Sequence, residues 1–306
     1  MIHTLLTTFG PDDPARRRWL TQAAFGAVAL GAATTPSAEA GKHADAAIDE
    51  GFVHFADARE RFRALFRLER DLRDEGTALS SYQFLVYALP GGERPQPVVR
   101  YEGMEFSYFR RIGPDTWRIH AHNVSFPRDI ATGEFVTRIP NPFGSAPLDV
   151  PPMKLLGDPG VLHGPRGYLP LDAPRVRWLD THFVLRIEGE LLKAEHIRPT
   201  PDGWPRQFIE SSISTITRRD FDDPRVTSLP YQSSGFYVFP FPKWMNMENR
   251  EGHMLGAWSG RKLRHVDQLP RTFAARLARE NPELLQPRWQ EFERSIPKEI
   301  ATWTEG

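Results

Sequence analysis

The sequence predicts a mainly β protein, an antiparallel meander curled or closed into a barrel, with helices at the N- and C-terminal ends. Three observations carry this. Runs rich in aromatic and β-branched residues succeed one another from Ser81 onward. Turns containing Gly and Pro separate these runs at short intervals. Helical periodicity is confined to the two flanks. Short strands joined by compact turns pair antiparallel, and closure hides the edges that a long sheet exposes.

Residues 43–51 are small and polar and read as a loose leader. Residues 56–72 read as a helix, because Phe55, Phe62, Leu65, Phe66 and Leu68 recur at helical spacing among Arg and Glu, and Gly76 ends the region. Strands are expected over 82–89, 98–112, 116–124 and 134–139, with turns at Gly113-Pro114-Asp115 and Ala131-Thr132-Gly133. The Pro-rich stretch 140–174 excludes long helices and central strands and reads as a surface excursion or lid. Strand patterning returns over 181–187, 191–197, 208–217, 236–241 and 253–259, with Gly189 as a hairpin turn. Residues 271–279 and 288–296 read as helices, punctuated by Pro270, Pro282 and Pro287.

The first forty residues read as a twin-arginine signal. Arg16 and Arg17 precede Arg18-Trp19-Leu20, a weakly apolar run follows over 23–33, and Ala38-Glu39-Ala40 supplies small residues for a signal peptidase. The expected partner during export is the twin-arginine translocation machinery, and the expected location is the periplasm. Removing the signal, with its three basic and three acidic residues, leaves 266 residues carrying 36 charges of each sign. Residues 41–306 then form a single domain. Balanced charge argues against nucleic acid as a partner, and no later apolar run approaches a membrane span, so no stable membrane anchor is expected. Oligomeric state stays open. The absence of cysteine removes disulfides, thiolate nucleophiles and thiolate-bound metals.

Three stretches resemble one family: Asn141-Pro142-Phe143-Gly144 after Thr132-Gly133-Glu134; Trp244-Met245-Asn246-Met247 with Gly252-His253-Met254-Leu255; and Gly260-Arg261-Lys262-Leu263 with Leu269-Pro270. Together they look like DUF1838, a group of exported bacterial proteins of undefined function, over residues 62–303. The resemblance implies a link to breakdown of aromatic compounds by cofactor-free lyases. The segment His122-Asn123-Val124-Ser125-Phe126 departs from that family, which usually carries an acidic or aromatic residue there.

His120 and His122 lie two apart on an expected strand and so face one side. That spacing serves a general base facing a barrel interior, or two ligands of one metal with His182, His196 or Glu195 as a third, or side chains that merely satisfy the sheet. No nucleotide-binding glycine motif, P-loop, HExxH or GxSxG elbow occurs. Tyr231, Phe239, Trp244, Met247 and Trp258, with Tyr237, form core or line an apolar pocket; the two can coexist. Arg110 and Glu102 share a strand parity and form either a solvated face or a paired site. The expected enzyme uses no cofactor. His122, favoured over His120, moves a proton on a small apolar or aromatic molecule, with Glu102 or Tyr237 as acid or orienting group, in a lyase or isomerase reaction. Arg110 joins the aromatic set as a substrate contact. The alternatives are a non-catalytic binder of a lipophilic ligand and a His-ligated metalloprotein.

Overall fold

The computed structural model describes residues 50–156, 160–171, 178–198, 209–247 and 249–290. The expected signal over 1–40 and residues 291–296 of the expected helix over 288–296 lie outside them. No helix among the described residues is long and apolar enough to cross a membrane.

In chain order the elements are β1 (Glu50–Phe52), α1 (Ala58–Glu69), β2 (Glu75–Pro90), β3 (Gln96–Gly113), β4 (Thr116–Arg128), β5 (Arg138–Ile139), β6 (Leu148–Asp149), β7 (Met153–Leu156), β8 (Val161–Gly164), β9 (Gly167–Pro170), β10 (His182–Glu188), β11 (Leu191–Arg198), β12 (Ile209–Thr217), α2 (Arg218–Asp222), β13 (Gln232–Phe239), β14 (Gly252–Leu263) and α3 (Arg271–Glu280). The protein is mainly β. Twelve strands form one antiparallel sheet in the order β1-β10-β11-β12-β13-β14-β2-β3-β4-β8-β9, with β7 also on β4. Two meanders, β2 to β4 and β10 to β14, are fused where β14 pairs with β2 from Gly252 against Pro90 to Leu263 against Leu79.

Two expectations need correcting. Among the described residues, the stretch after Pro140 is not all surface excursion: β7 and β8 pair with β4 and β9 pairs with β8, so residues 153–156 and 161–170 extend the sheet. Its prolines are compatible with this because the strands are only four residues long and sit at the sheet margin. The strand expected over 134–139 shrinks to β5, which pairs with β6 in a separate ribbon.

Helix α1 begins at Asp57, whose carboxylate accepts from the Glu60 N–H at 2.8 Å, while Glu60 reaches back to the Ala56 N–H at 2.6 Å. At its far end the Lys262 ammonium of β14 donates to the carbonyls of Arg67, Leu68 and Arg70 at 3.1, 2.9 and 2.5 Å. Three orphan carbonyls are thus satisfied by one side chain, which fixes where the helix stops relative to the sheet.

Alternate residues serve opposite faces of the sheet. On the face carrying α1, Phe62 and Phe66 pack on Phe109, Trp117 and Ile119 of β3 and β4. Ala64, Leu65 and Leu68 of the same helix pack on Phe183, Leu185, Leu192 and Ala194 of β10 and β11. On the other face, Met104, Phe106, Tyr108, Val124 and Phe126 are buried beneath Phe273 and Leu277 of α3. The hydrogen-bonded path ends at β1 and at β9, which do not pair with each other among the described residues. Helix α1 therefore touches strands from both halves of an open path.

Candidate active site on the α1 face

The site is built on α1. Glu69 occupies the helical row of Phe62 and Phe66, a row that otherwise buries rings, and its side chain is only 8% exposed. Two histidines approach it from opposite halves of the sheet. His163 of β8 places Nδ1 3.7 Å from Glu69 Oε2, and His196 of β11 places Nδ1 3.3 Å from Glu69 Oε1. Arg198, on the same face of β11 as His196, donates Nη2 to Glu69 Oε1 and lies 3.6 Å from Glu210 Oε2. Nearby, Arg70 pairs with Glu105 at 2.9 Å.

Burial alone pushes the Glu69 carboxyl up, but Arg198 and the two imidazoles outweigh it and hold the pKa well below the ordinary carboxylate range. Burial pulls His163 down to about 3, with Arg198 and Arg70 adding to the effect and Glu69 opposing it, so that imidazole stays neutral. Glu210 shifts upward, because burial outweighs its attraction to Arg198. His196 has a polarised arrangement. Its Nδ1 faces the Glu69 carboxylate, while its buried Nε2 has no hydrogen-bond partner among the described residues. A carboxylate on Nδ1 fixes the tautomer that leaves Nε2 basic and stabilises the imidazolium formed when Nε2 takes a proton.

A small opening of about 20 Å³ reaches this cluster, lined by His163, His196, Arg198, Tyr168, Phe62 and Phe183 among others. Burial raises Tyr168 to about 12, so its hydroxyl keeps its proton at neutral pH. The volume suits a water-sized group. Among the described residues no group of three His, Cys, Asp or Glu is arranged to hold a metal ion.

The residues expected from sequence divide between the two faces. Tyr237, Phe239, Trp244, Met247 and Trp258 do gather, in the α1-face cluster around Phe84 and Tyr101. Phe84 and Tyr101 stack at 4.9 Å, and Tyr237 meets Phe84 edge-on at 5.4 Å. The Tyr237 ring lies where a Cβ on Gly256 would stand, 2.2 Å from that position, and the Tyr82 ring similarly overlies Gly103 at 2.6 Å. Glycine at these two positions lets the rings lie flat on the sheet. Tyr231 joins the neighbouring cluster around α1. Met247 is therefore buried core, and Tyr237, Phe239, Trp244 and Trp258 are half-buried against that core.

His120 and His122 are buried, yet they face α3, not this cluster. Their parity matches Tyr108, which stacks on His120 at 5.4 Å and places its hydroxyl 3.5 Å from His122 Nε2. Burial, with Arg288 nearby, lowers the His122 pKa. Glu102 shares that face and pairs with Arg128, and Arg110 pairs with Glu75 and lies over Trp289. The expectation that both imidazoles project into one cavity with the rings of 231–258 is thus corrected: the two sets occupy opposite faces. The proposed metal set fails for the same reason, since His196 is on the α1 face and His182 is exposed.

Sequence reasoning named His196 only as a spare ligand and missed Glu69, His163, Arg198 and Glu210. The available signal was Glu69, an acid at i+7 from Phe62 on an otherwise apolar helix stripe.

No family model matches the chain, and no curated protein matches it. Among solved structures, the crystal structure of Rv2717c from M. tuberculosis aligns at 14% identity over 65% of this chain and 95% of that one, with a TM-score of 0.18.

Proposed function

We propose that the protein is a cofactor-independent enzyme of lyase or isomerase type, with His196 as general base. The single observation that supports this is a buried carboxylate, Glu69, facing Nδ1 of a histidine whose Nε2 has no partner among the described residues, beside an opening to the surface. His196 Nε2 takes a proton from substrate carbon or hydroxyl, Glu69 stabilises the imidazolium, and the protonated Tyr168 hydroxyl returns a proton to the carbanion or leaving oxygen. The two arginines that line the opening are paired with resident carboxylates, Arg198 with Glu69 and Glu210 and Arg61 with Asp180 at 3.5 Å. Neither is left over for an acid, so the substrate is neutral, which fits a small aromatic alcohol or ether. A 20 Å³ opening is far below the 300 Å³ or more that encloses a whole ligand. The substrate presents an edge to it, and an engulfing lipophilic binder gains no support from this site.

The DUF1838 resemblance and the twin-arginine pattern add to this reading a periplasmic location and an aromatic substrate. The barrel belongs to the same proposal: α1 plugs the gap between the two ends of the hydrogen-bonded path. Turnover of a panel of aromatic dimers and benzylic alcohols tests the assignment. His196→Ala is expected to lower kcat/KM by about 10²–10⁴-fold, whereas His122→Ala, on the far face, leaves it near wild type. Loss in His122→Ala with retention in His196→Ala reverses the assignment.

A further inference from the structure

The α3 face carries a second feature that the proposed chemistry does not use. An open groove of about 620 Å³ runs across β11 to β14 and β2, with Pro270 at the start of α3 among its lining residues. Its surface is a grid of short polar side chains. Gln232 stands beside Thr215 and Arg261, and Ser234 beside Ser259, in cross-strand register. Ser81 and Gln83 continue the two rows on β2. Each hydroxyl or amide both donates and accepts. Adjacent strands set these groups roughly 4.8 Å apart, a spacing that a chain of hydroxylated rings can follow.

Two cations bracket the grid. Lys193 and Arg261 lie on one row three strands apart, roughly 14 Å by the same spacing. Lys193 donates to Thr215 Oγ1 at 2.9 Å, which leaves further N–H groups. Arg261 is exposed and makes no ion pair among the described residues. The groove's one carboxylate, Glu102, is turned into its pair with Arg128. The adjoining surface is apolar: Ile213 and Phe236 are 44% and 41% exposed. Such a platform suits the C–H face of a sugar ring. An extended peptide has no purchase here, because the interior strands already spend their backbone groups on one another and the groove offers no free edge.

We infer that this groove binds an acidic oligosaccharide, its hydroxyls read by the Ser, Thr and Gln grid and its carboxylates by Lys193 and Arg261. Isothermal titration of the full chain with trigalacturonate, maltotriose and citrate tests this. Trigalacturonate is expected to bind at least tenfold more tightly than either other probe. Arg261→Ala and Gln83→Ala, both on exposed side chains, are each expected to weaken it several-fold, and His196→Ala to leave it unchanged. Equal binding of citrate shows bare charge attraction and overturns the assignment. So does absence of trigalacturonate binding, or its loss in His196→Ala, which moves the ligand to the other face.

Discussion

Replacing Glu69 with alanine is expected to destabilise the protein by about 3–5 kcal/mol, the cost of removing one partner from a buried ion pair. The substitution leaves Arg198, His163 and His196 pointing at a void where an anion stood. Arg198 retains only the more distant Glu210 at 3.6 Å. The loss reaches beyond α1, because that helix joins strands from both halves of the sheet. Glu69→Gln keeps the shape and part of the hydrogen bonding and is expected to cost less. Urea unfolding monitored by tryptophan fluorescence measures both. A cost below about 1 kcal/mol for the alanine variant, typical of an exposed pair, contradicts a buried anchoring role for Glu69.

Acid is expected to unfold the protein early, with stability falling from about pH 6.5 downward. The unfolded chain protonates its histidines near 6.5, whereas folded His163 resists until about pH 3. The unfolded state therefore binds more protons between those values, and stability drops across that window as pH falls. Its ceiling is about 5 kcal/mol, because each tenfold difference in proton affinity between the two states is worth about 1.4 kcal/mol. Glu69 adds a second loss in the same direction below pH 4.5, because its folded pKa is depressed. Glu210 works against the His163 loss above pH 4.5: its raised pKa lets the folded state take a proton first. The fall just above pH 4.5 is thus shallower than an unshifted Glu210 would allow. His163→Gln, which cannot charge, is expected to flatten the upper part of the curve. An unchanged curve in that variant removes His163 as the source.

The fold was largely legible because strand signals are local. Aromatic and β-branched alternation located β2, β3, β4 and β10 to β14, and the stripe from Phe62 to Leu68 located α1. Closure was less legible, because whether β1 and β9 meet depends on the summed twist of every strand between them. The stretch after Pro140 misled because four-residue strands carry too few residues for periodicity to register. The site was legible in its residue types and not in its assembly. Parity correctly put His120 and His122 on one face, but parity alone does not say which face holds α1. Glu69 and His196 are 127 positions apart in sequence and meet only because a helix lies across the strands. Pairs of that kind are set by topology, which a single chain's pattern does not contain.

The central claim is that Glu69 holds His196 with Nδ1 protonated and Nε2 bare. Long-range ¹⁵N–¹H correlation of the imidazoles in the native protein at pH 7 reads this tautomer directly. The account predicts the Nδ1–H form for His196, with its Nε2 resonance moving when an aromatic substrate is added while those of His120 and His122 stay still. An Nε2–H tautomer at His196, or substrate-dependent shifts confined to His122, contradicts it.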